Sequence, residues 1–436
     1  MAYDIIIGRD AADKERFGDK GLIFLGKGYV KMGNYTSLSN KIWMDVARSH
    51  VILVSGKRGS GKSYSLSAIA EGLTSLPQEI SKNIAPIIFD TMGIFWTMKY
   101  KNEKDAALLK DWGLEAKSLP VKIFVPFGKA DEYLSKKIPF DSTFALKASE
   151  LEAEDWISLF NLDFTSLTSA LIERAVTKLK LDSKEFSVQN IINEIENDSK
   201  ASKETKEIAS SLFIAANTWG IFDKSGKGTE IKDLVNAGIT TILDVSIYSS
   251  IGSFNIRALV IGLVCRKMFS LRMDERKEEE MDSLQHGQDY LSYKSSAQKP
   301  LIWVFLDEVH EFLGKNDKTP ATDALIQLLR EGRQPGISLV MATQQPGKLH
   351  SDALTQADII ISHRVTAKPD IEALNEIMQT YLLENIKQQM DNLPSSKGSA
   401  IVLDDNSERI YPIKVRPKFT WHGGESPSAI KAEIKL

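Results

Sequence analysis

The sequence predicts an α/β protein with a mainly parallel sheet, a helical insertion and a short β-rich N-terminal segment. Two observations carry the sheet. Apolar runs at 51–54, 87–89, 121–125, 241–243, 301–306 and 338–341 are nearly uninterrupted, the texture of strands buried on both faces. Helical patterns separate them, as in a core where strands and helices alternate. A third observation places the insertion. From about 145 to 220 the strand signal stops. There Leu167, Leu171, Ala175 and Leu179 recur every four residues, and Ile208, Leu212 and Ala215 mark another amphipathic helix.

Taken in order, the first fifty residues read as short strands and turns. Pieces at 5–7, 22–25 and 29–32 are β-rich and are punctuated by Gly8, Gly18, Gly21, Gly26, Gly28 and Gly33. The expected division is 1–45 for this segment, 46–140 for the first part of the core and 141–235 for the insertion. Residues 236–420 form the second part of the core and 421–436 a C-terminal tail. The polar stretch at 274–300, with Glu278-Glu279-Glu280 and then Gln285-His286-Gly287-Gln288-Asp289, reads as a solvated helix end and a flexible loop.

Composition narrows the function classes. The chain has 436 residues, 42% apolar and 26% charged, values ordinary for a soluble globular protein. Its 55 Lys and Arg against 58 Asp and Glu leave a net charge of -3, so nucleic-acid contact has to rest on local placement of cations. The longest apolar stretch, at 258–265, falls far short of the roughly 20 residues that span a bilayer. The charged N-terminus does not read as a secretory signal. No membrane partner and a cytoplasmic setting are expected. Cys265 is the only cysteine, which excludes an intrachain disulfide and a cysteine-based zinc site. Inside its apolar run it reads as a small buried hydrophobe.

The chemistry begins at Gly56-Lys57-Arg58-Gly59-Ser60-Gly61-Lys62-Ser63, which fills every fixed position of G-x-x-x-x-G-K-[S/T]. A strand leads in, and Tyr64 opens a helical pattern leading out. The glycines let backbone N–H groups turn inward around phosphate oxygens at the positive end of that helix. Lys62 is placed to reach the β- and γ-phosphates, and the Ser63 hydroxyl to ligate Mg²⁺. Residues 56–64 are therefore the expected nucleotide contacts, with ATP and Mg²⁺ as cofactors.

The strand at 301–306 ends in Asp307-Glu308. A buried strand that delivers two carboxylates at its end suits ATP hydrolysis: Asp307 for the Mg²⁺ shell, Glu308 to polarise the attacking water. Asp90 ends another apolar strand without a following Glu and reads as polar support near the site. His310 and Glu311 lack a second histidine at helical spacing, so they do not make a dedicated transition-metal site. Further on, Gln344 leaves the strand at 338–341 and can sense the γ-phosphate or hold the water. Arg330 and Arg333 precede that strand, and either could reach a neighbouring subunit's ATP as a finger.

This ordered set resembles the HerA–FtsK superfamily of ring-forming, DNA-pumping ATPases, and the HerA branch in particular. The likeness rests on residues 56–63, Leu306-Asp307-Glu308-Val309-His310, Arg330-Glu331-Gly332-Arg333 and Leu339-Val340-Met341-Ala342-Thr343-Gln344-Gln345-Pro346. It extends to Ile87-Ile88-Phe89-Asp90-Thr91-Met92-Gly93, Lys147-Ala148-Ser149-Glu150, Val415-Arg416-Pro417 and His422-Gly423-Gly424. The resemblance implies a RecA-like core assembled as a homo-hexameric ring around double-stranded DNA. It also implies Arg333 as a trans-acting finger, with Arg330 the second choice, and Gln344 as the sensor glutamine. A NurA-type nuclease or another effector is an implied partner, in the processing of DNA ends. Two departures stand out: only about fifty residues precede the phosphate loop, where the family carries a fuller β-barrel, and Gln345 stands where arginine is common.

A ring motor needs cationic loops facing its pore rather than a positive surface overall. The candidate basic patches are Arg266 and Lys267 with Arg272, Arg276 and Lys277, which also reads as a solvated charged helix, and the run Lys414, Arg416, Lys418, which alternates as an edge or exposed strand face would. The leading expectation is an ATP-driven double-stranded DNA translocase. The alternative is an ATP-gated ring scaffold that organises a partner effector. A conjugation or plasmid-mobilisation pump, which usually adds membrane spans or a recruiting domain, comes third.

Overall fold

The computed structural model of the chain describes residues 4–32, 35–250, 255–285, 299–378 and 390–424. Among these, thirteen strands join one sheet. The N-terminal part gives β1 (Ile5–Ile7), β2 (Leu22–Met32) and β3 (Tyr35–Asp45). The apolar runs become β4 (Val51–Ser55), β5 (Ile84–Asp90), β6 (Val121–Pro126), β7 (Ser142–Phe144), β8 (Thr240–Asp244), β9 (Leu301–Leu306), β10 (Ile337–Thr343) and β11 (Ile359–His363). The hairpin β12 (Ser399–Asp404) and β13 (Arg409–Val415) completes the set.

In space the order is β1-β3-β2-β13-β12-β11-β4-β10-β9-β5-β8-β6-β7. From β11 to β7 every neighbouring pair is parallel. The expected mainly parallel α/β core is therefore present. The remaining strands extend one side of the same sheet, since β13 pairs antiparallel with both β12 and β2. At that seam Gly26 is required: a Cβ there would lie 2.1 Å from the Lys414 carbonyl oxygen.

Register fixes which loops meet. Thr343 of β10 lies opposite Ser55 of β4, and Met341 opposite Leu306 of β9. The chain leaves all three strands at one edge, into residues 56–63, Asp307-Glu308 and Gln344. In an open parallel sheet, that carboxyl edge is where ligands bind.

The helices are α1 (Ala11–Phe17), α2 (Lys62–Thr74), α3 (Ala153–Leu159), α4 (Leu167–Asp182), α5 (Val188–Asn197), α6 (Lys203–Thr218), α7 (Ile256–Gln285), α8 (Thr322–Glu331) and α9 (Lys368–Met378), besides shorter helices and turns. Serines set the insertion's starts: Ser166 accepts from the Ser169 N–H, Ser202 from the Thr205 N–H, and Ser187 forms a capping box with Asn190. Trp156 of α3 lies between Phe213 of α6 and Phe222, with ring centroids 4.8 and 5.0 Å away. On the other face of the sheet, Leu66, Ile69 and Leu73 of α2 pack with Ile52 and Val54. Among the described residues, no helix is long and apolar enough to cross a membrane.

Several local expectations shift. The pieces at 22–25 and 29–32 are one strand, whose register slips near Gly26 and Lys27 let it bend without breaking. In α6 the helix is as expected but its inner face is not. Ile208 is exposed while Ala209, Phe213 and Ala216 are buried, because aromatic packing against Trp156 outweighs aliphatic spacing. The helix end foreseen in the polar stretch continues to Gln285, and the expected loop at 286–289 lies outside the described residues. Cys265 is buried, and burial raises its thiol pKa.

Candidate nucleotide site

The phosphate loop turns sharply between β4 and α2. Gly56 has φ 155°, and a Cβ there would stand 2.5 Å from Ser60 Oγ and 2.6 Å from His363 Cβ, so only glycine fits. Gly61 caps α2 in the left-handed region. Lys57, Arg58 and Gly59 are exposed at the loop's crest while Lys62 is buried. The Lys62 ammonium lies 3.5 Å from the Lys57 carbonyl oxygen, folded back over the loop.

Across the edge, Ser63 Oγ donates to Asp307 Oδ2 at 2.5 Å. Asp307 is buried, and burial raises its carboxyl pKa, against the pull of the Ser63 hydrogen bond. Glu308 sits at φ 51°, ψ 43°, a left-handed conformation that a non-glycine residue holds at a cost of about 1–3 kcal/mol. That twist turns its carboxylate inward. Burial and then the Asp307 charge push it up to about 7. The Gln344 backbone N–H helps to hold the ionised form, yet among the described residues Glu308 Oε2 has no hydrogen-bond partner. His310 Nδ1 lies 3.5 Å from it and 3.3 Å from Thr343 Oγ1, with its pKa lowered by burial.

Lys62, Ser63, Asp307, Glu308 and Gln344 thus converge. Arg333 does not join them. It is exposed just before the start of β10, roughly 20 Å from the carboxyl edge at the rise of a strand. There it lines an open polar cavity of about 540 Å³ with Asp358, Asp404, Asp405 and Arg409. Arg330 is instead paired to Asp352 at 2.7 Å. Tyr64 is engaged by the chain's own C-terminal segment. Its hydroxyl accepts from the Lys418 N–H at 2.7 Å, and the His422 ring stands edge-on at 5.1 Å. Burial raises the phenol to about 12.

Most cations of the two candidate basic patches turn out to be held in ion pairs or buried. Arg266 pairs with Asp155, Lys267 with Glu150, Arg272 with Glu275 and Glu279, Arg276 with Glu279 and Glu280, and Lys277 with Asp274. In the second patch Arg416 and Lys418 are 1% exposed. The run is no edge, since β13 lies between β12 and β2. Arg416 and Lys418 lie past the end of β13, where Arg416 reaches Glu71 and the Ala68 carbonyl of α2. Arg416 pairs with the fully buried Glu71 at 3.0 Å, and that carboxylate also accepts from the Phe419 and Thr420 N–H groups.

One support went unread in the sequence, and another was read only in outline. His363 ends β11 beneath the phosphate loop, where burial lowers its pKa to about 4. The neutral ring donates from Nδ1 to the Ser399 carbonyl at 3.0 Å and accepts from Ser65 Oγ at 2.9 Å. Asp90 was expected only as polar support. Its carboxylate accepts from the Met92, Gly93, Ile94 and Phe95 N–H groups, so it shapes the loop after β5. Burial, and then the Asp244 charge, lift it to about 7.

The model of the family described as "Helicase HerA, central domain" matches residues 30–266. That is more than half of the chain, so the chain belongs to this family. The DNA double-strand break repair helicase HerA of Saccharolobus solfataricus is 21% identical over 400 residues, 91% of this chain and 69% of that protein. Its namesake from Pyrococcus furiosus is 26% identical over 161 residues, 35% of this chain. The match spans only 27% of that relative's length. Among solved structures, VirB4 of Thermoanaerobacter pseudethanolicus is similar at a TM-score of 0.57 and 13% identity, covering 92% of this chain and 98% of that one. The bacterial conjugative coupling protein TrwB gives 0.52 and 13%, covering 86% and 87%. Both likenesses concern the fold, a RecA-like P-loop core.

Proposed function

We propose that the chain is an ATP-hydrolysing motor that translocates double-stranded DNA as a ring of identical subunits, a hexamer in the family's manner. One observation carries the reading. The carboxyl edge assembles Lys62, Ser63, Asp307, Glu308 and Gln344, while the free cation Arg333 sits at the opposite edge of the same sheet. A finger there cannot reach its own nucleotide, so a complete site needs a neighbouring subunit. The HerA relatives are named as DNA double-strand break repair helicases, which supports DNA as the track; a nuclease of the NurA type is the partner that the family resemblance implies.

The residues present fit Mg²⁺. Ser63 and Asp307 offer two hard oxygens side by side, and Mg²⁺ in such sites takes one or two protein oxygens plus phosphate and water. Among the described residues no group of three His, Cys, Asp or Glu side chains forms a closed metal cage. Held by Ser63 and Asp307, Mg²⁺ would neutralise charge on the β- and γ-phosphate oxygens. Lys62 unfolds from the Lys57 carbonyl to meet the same oxygens. The unpartnered Glu308 Oε2 is the acceptor for the attacking water's proton, and Gln344 holds that water in line. The expected result is ATP turnover stimulated by linear duplex DNA. Turnover indifferent to duplex DNA, from a protein that does not bind DNA with ATP present, rejects the motor.

A further inference from the structure

We propose that the turn at 396–398, pinned by the ammonium of Lys414, is the wall of the nucleotide site that faces the sugar and base. The inference rests on the nucleotide reading above. The catalytic groups lie on the β10 and β9 side of the phosphate loop and mark the γ-phosphate end. The α-phosphate and nucleoside must then leave on the other side, toward β11 and β12. Two backbone contacts close that side. The Lys57 N–H donates to the Arg364 carbonyl at 3.0 Å, and the Gly398 N–H to the Ser60 carbonyl at 3.3 Å. A Cβ on Gly61 would come within 3.4 Å of the Gly398 nitrogen, so the turn rests directly on the loop. Ser396 and Lys397 are exposed at its tip.

Such a surface turn would ordinarily wander, but this one is anchored twice. Lys414 Nζ donates to Ser396 Oγ at 3.1 Å and to the Lys397 carbonyl. The half-buried ammonium, its pKa lowered by burial, has no carboxylate partner among the described residues; it answers backbone and hydroxyl oxygens. The second anchor is Tyr29 of β2, whose hydroxyl lies 2.9 Å from Ser399 Oγ. Ser399 Oγ in turn donates to the Ser396 carbonyl at 2.8 Å. Lys414 is thus a positioning residue, and its effect belongs to the nucleoside half of the ligand.

The test compares ATP with inorganic tripolyphosphate, which fills the phosphate loop but has no nucleoside. Binding of each to the full-length protein with Mg²⁺ is measured for Lys414→Met, Lys414→Arg and Tyr29→Phe, alongside steady-state turnover. In Lys414→Met, ATP affinity is expected to fall about tenfold, the scale of one lost hydrogen-bonded support, with KM raised and kcat kept. Tripolyphosphate affinity stays within about twofold, and Lys414→Arg restores most of the loss. Tyr29→Phe shows the same selectivity more weakly and guards against misfolding of the first variant. Equal losses for ATP and tripolyphosphate, or no loss for ATP, overturn the wall. A wild-type protein that binds neither ligand overturns the nucleotide site itself and the wall with it.

Discussion

At the carboxyl edge of the sheet Glu308 Oε2 and Ser60 Oγ are buried with no hydrogen-bond partner. The amino edge holds equally buried charges, and there they are answered. Arg9 Nε donates to Asp45 at 2.7 Å, His50 bridges Asp358 at 2.7 Å and Asp45 at 3.2 Å, and Asp358 also accepts from the Val51 N–H at 2.9 Å. An unanswered buried polar atom costs about 1–3 kcal/mol. At Glu308 it falls beside the phosphate loop, where a bound nucleotide and its water would answer it. The answered network instead ties the N-terminal strands to the core, through Arg9 and Asp45 on one side and His50 and Asp358 on the other. One edge is arranged for chemistry and the other for cohesion.

The comparison breaks most visibly at Glu308. Replacing it with Gln is expected to lower ATP hydrolysis by about 10²–10⁴-fold, the range of a positioned general base. ATP binding and thermal stability should remain, because a neutral amide relieves a buried carboxylate. Turnover and equilibrium binding measured together check this; a variant that hydrolyses normally removes Glu308 from the reaction.

Arg333 sharpens the contrast, since it lies at the cohesive edge but is proposed to act in the reaction of a neighbouring subunit. Arg333→Ala is expected to lose on the order of 10³-fold in hydrolysis with ATP binding and assembly intact. Mixing it with Glu308→Gln subunits should recover activity, because each variant supplies what the other lacks at a shared interface. No recovery, with both variants assembled, places the arginine outside the neighbouring site.

The smallest expected effect is a pH dependence of stability. Burial alone lowers the His50 pKa, but the hydrogen bonds to Asp358 and Asp45 outweigh it and raise the ring from 6.5 to about 9. The proton is therefore bound more tightly in the folded state. Its contribution is fully present below about 6.5 and is lost as pH rises through about 9. Denaturant midpoints should fall across that window in the wild type and stay flat in His50→Gln; parallel curves would show that the network does not depend on the proton.

Much of this was legible in the residues. The phosphate loop reads directly because local backbone needs, glycine at 56 and a strand-to-helix turn, are written at fixed spacing. Asp307 and Glu308 read equally well, since a buried strand makes carboxylates at its end conspicuous. Arg416 and Lys418 misled because alternation of cations along a strand says nothing about what lies across it; Glu71 does, from 345 positions away. His363 left no signal for the same reason. Its partners Ser65 and Ser399 are brought to it by the parallel pairing of β11 with β4 and its antiparallel pairing with β12.

By itself the sequence determined the shape of the phosphate-type loop and the two carboxylates at the end of β9, because those features depend on contacts within a few residues. Only the tertiary structure decided which cations are free. Charge is a property of a residue, but its availability depends on desolvation and on partners that the sheet order supplies. Arg266, Lys267 and Arg416 are consumed in ion pairs, whereas Arg333 is left open at the far edge.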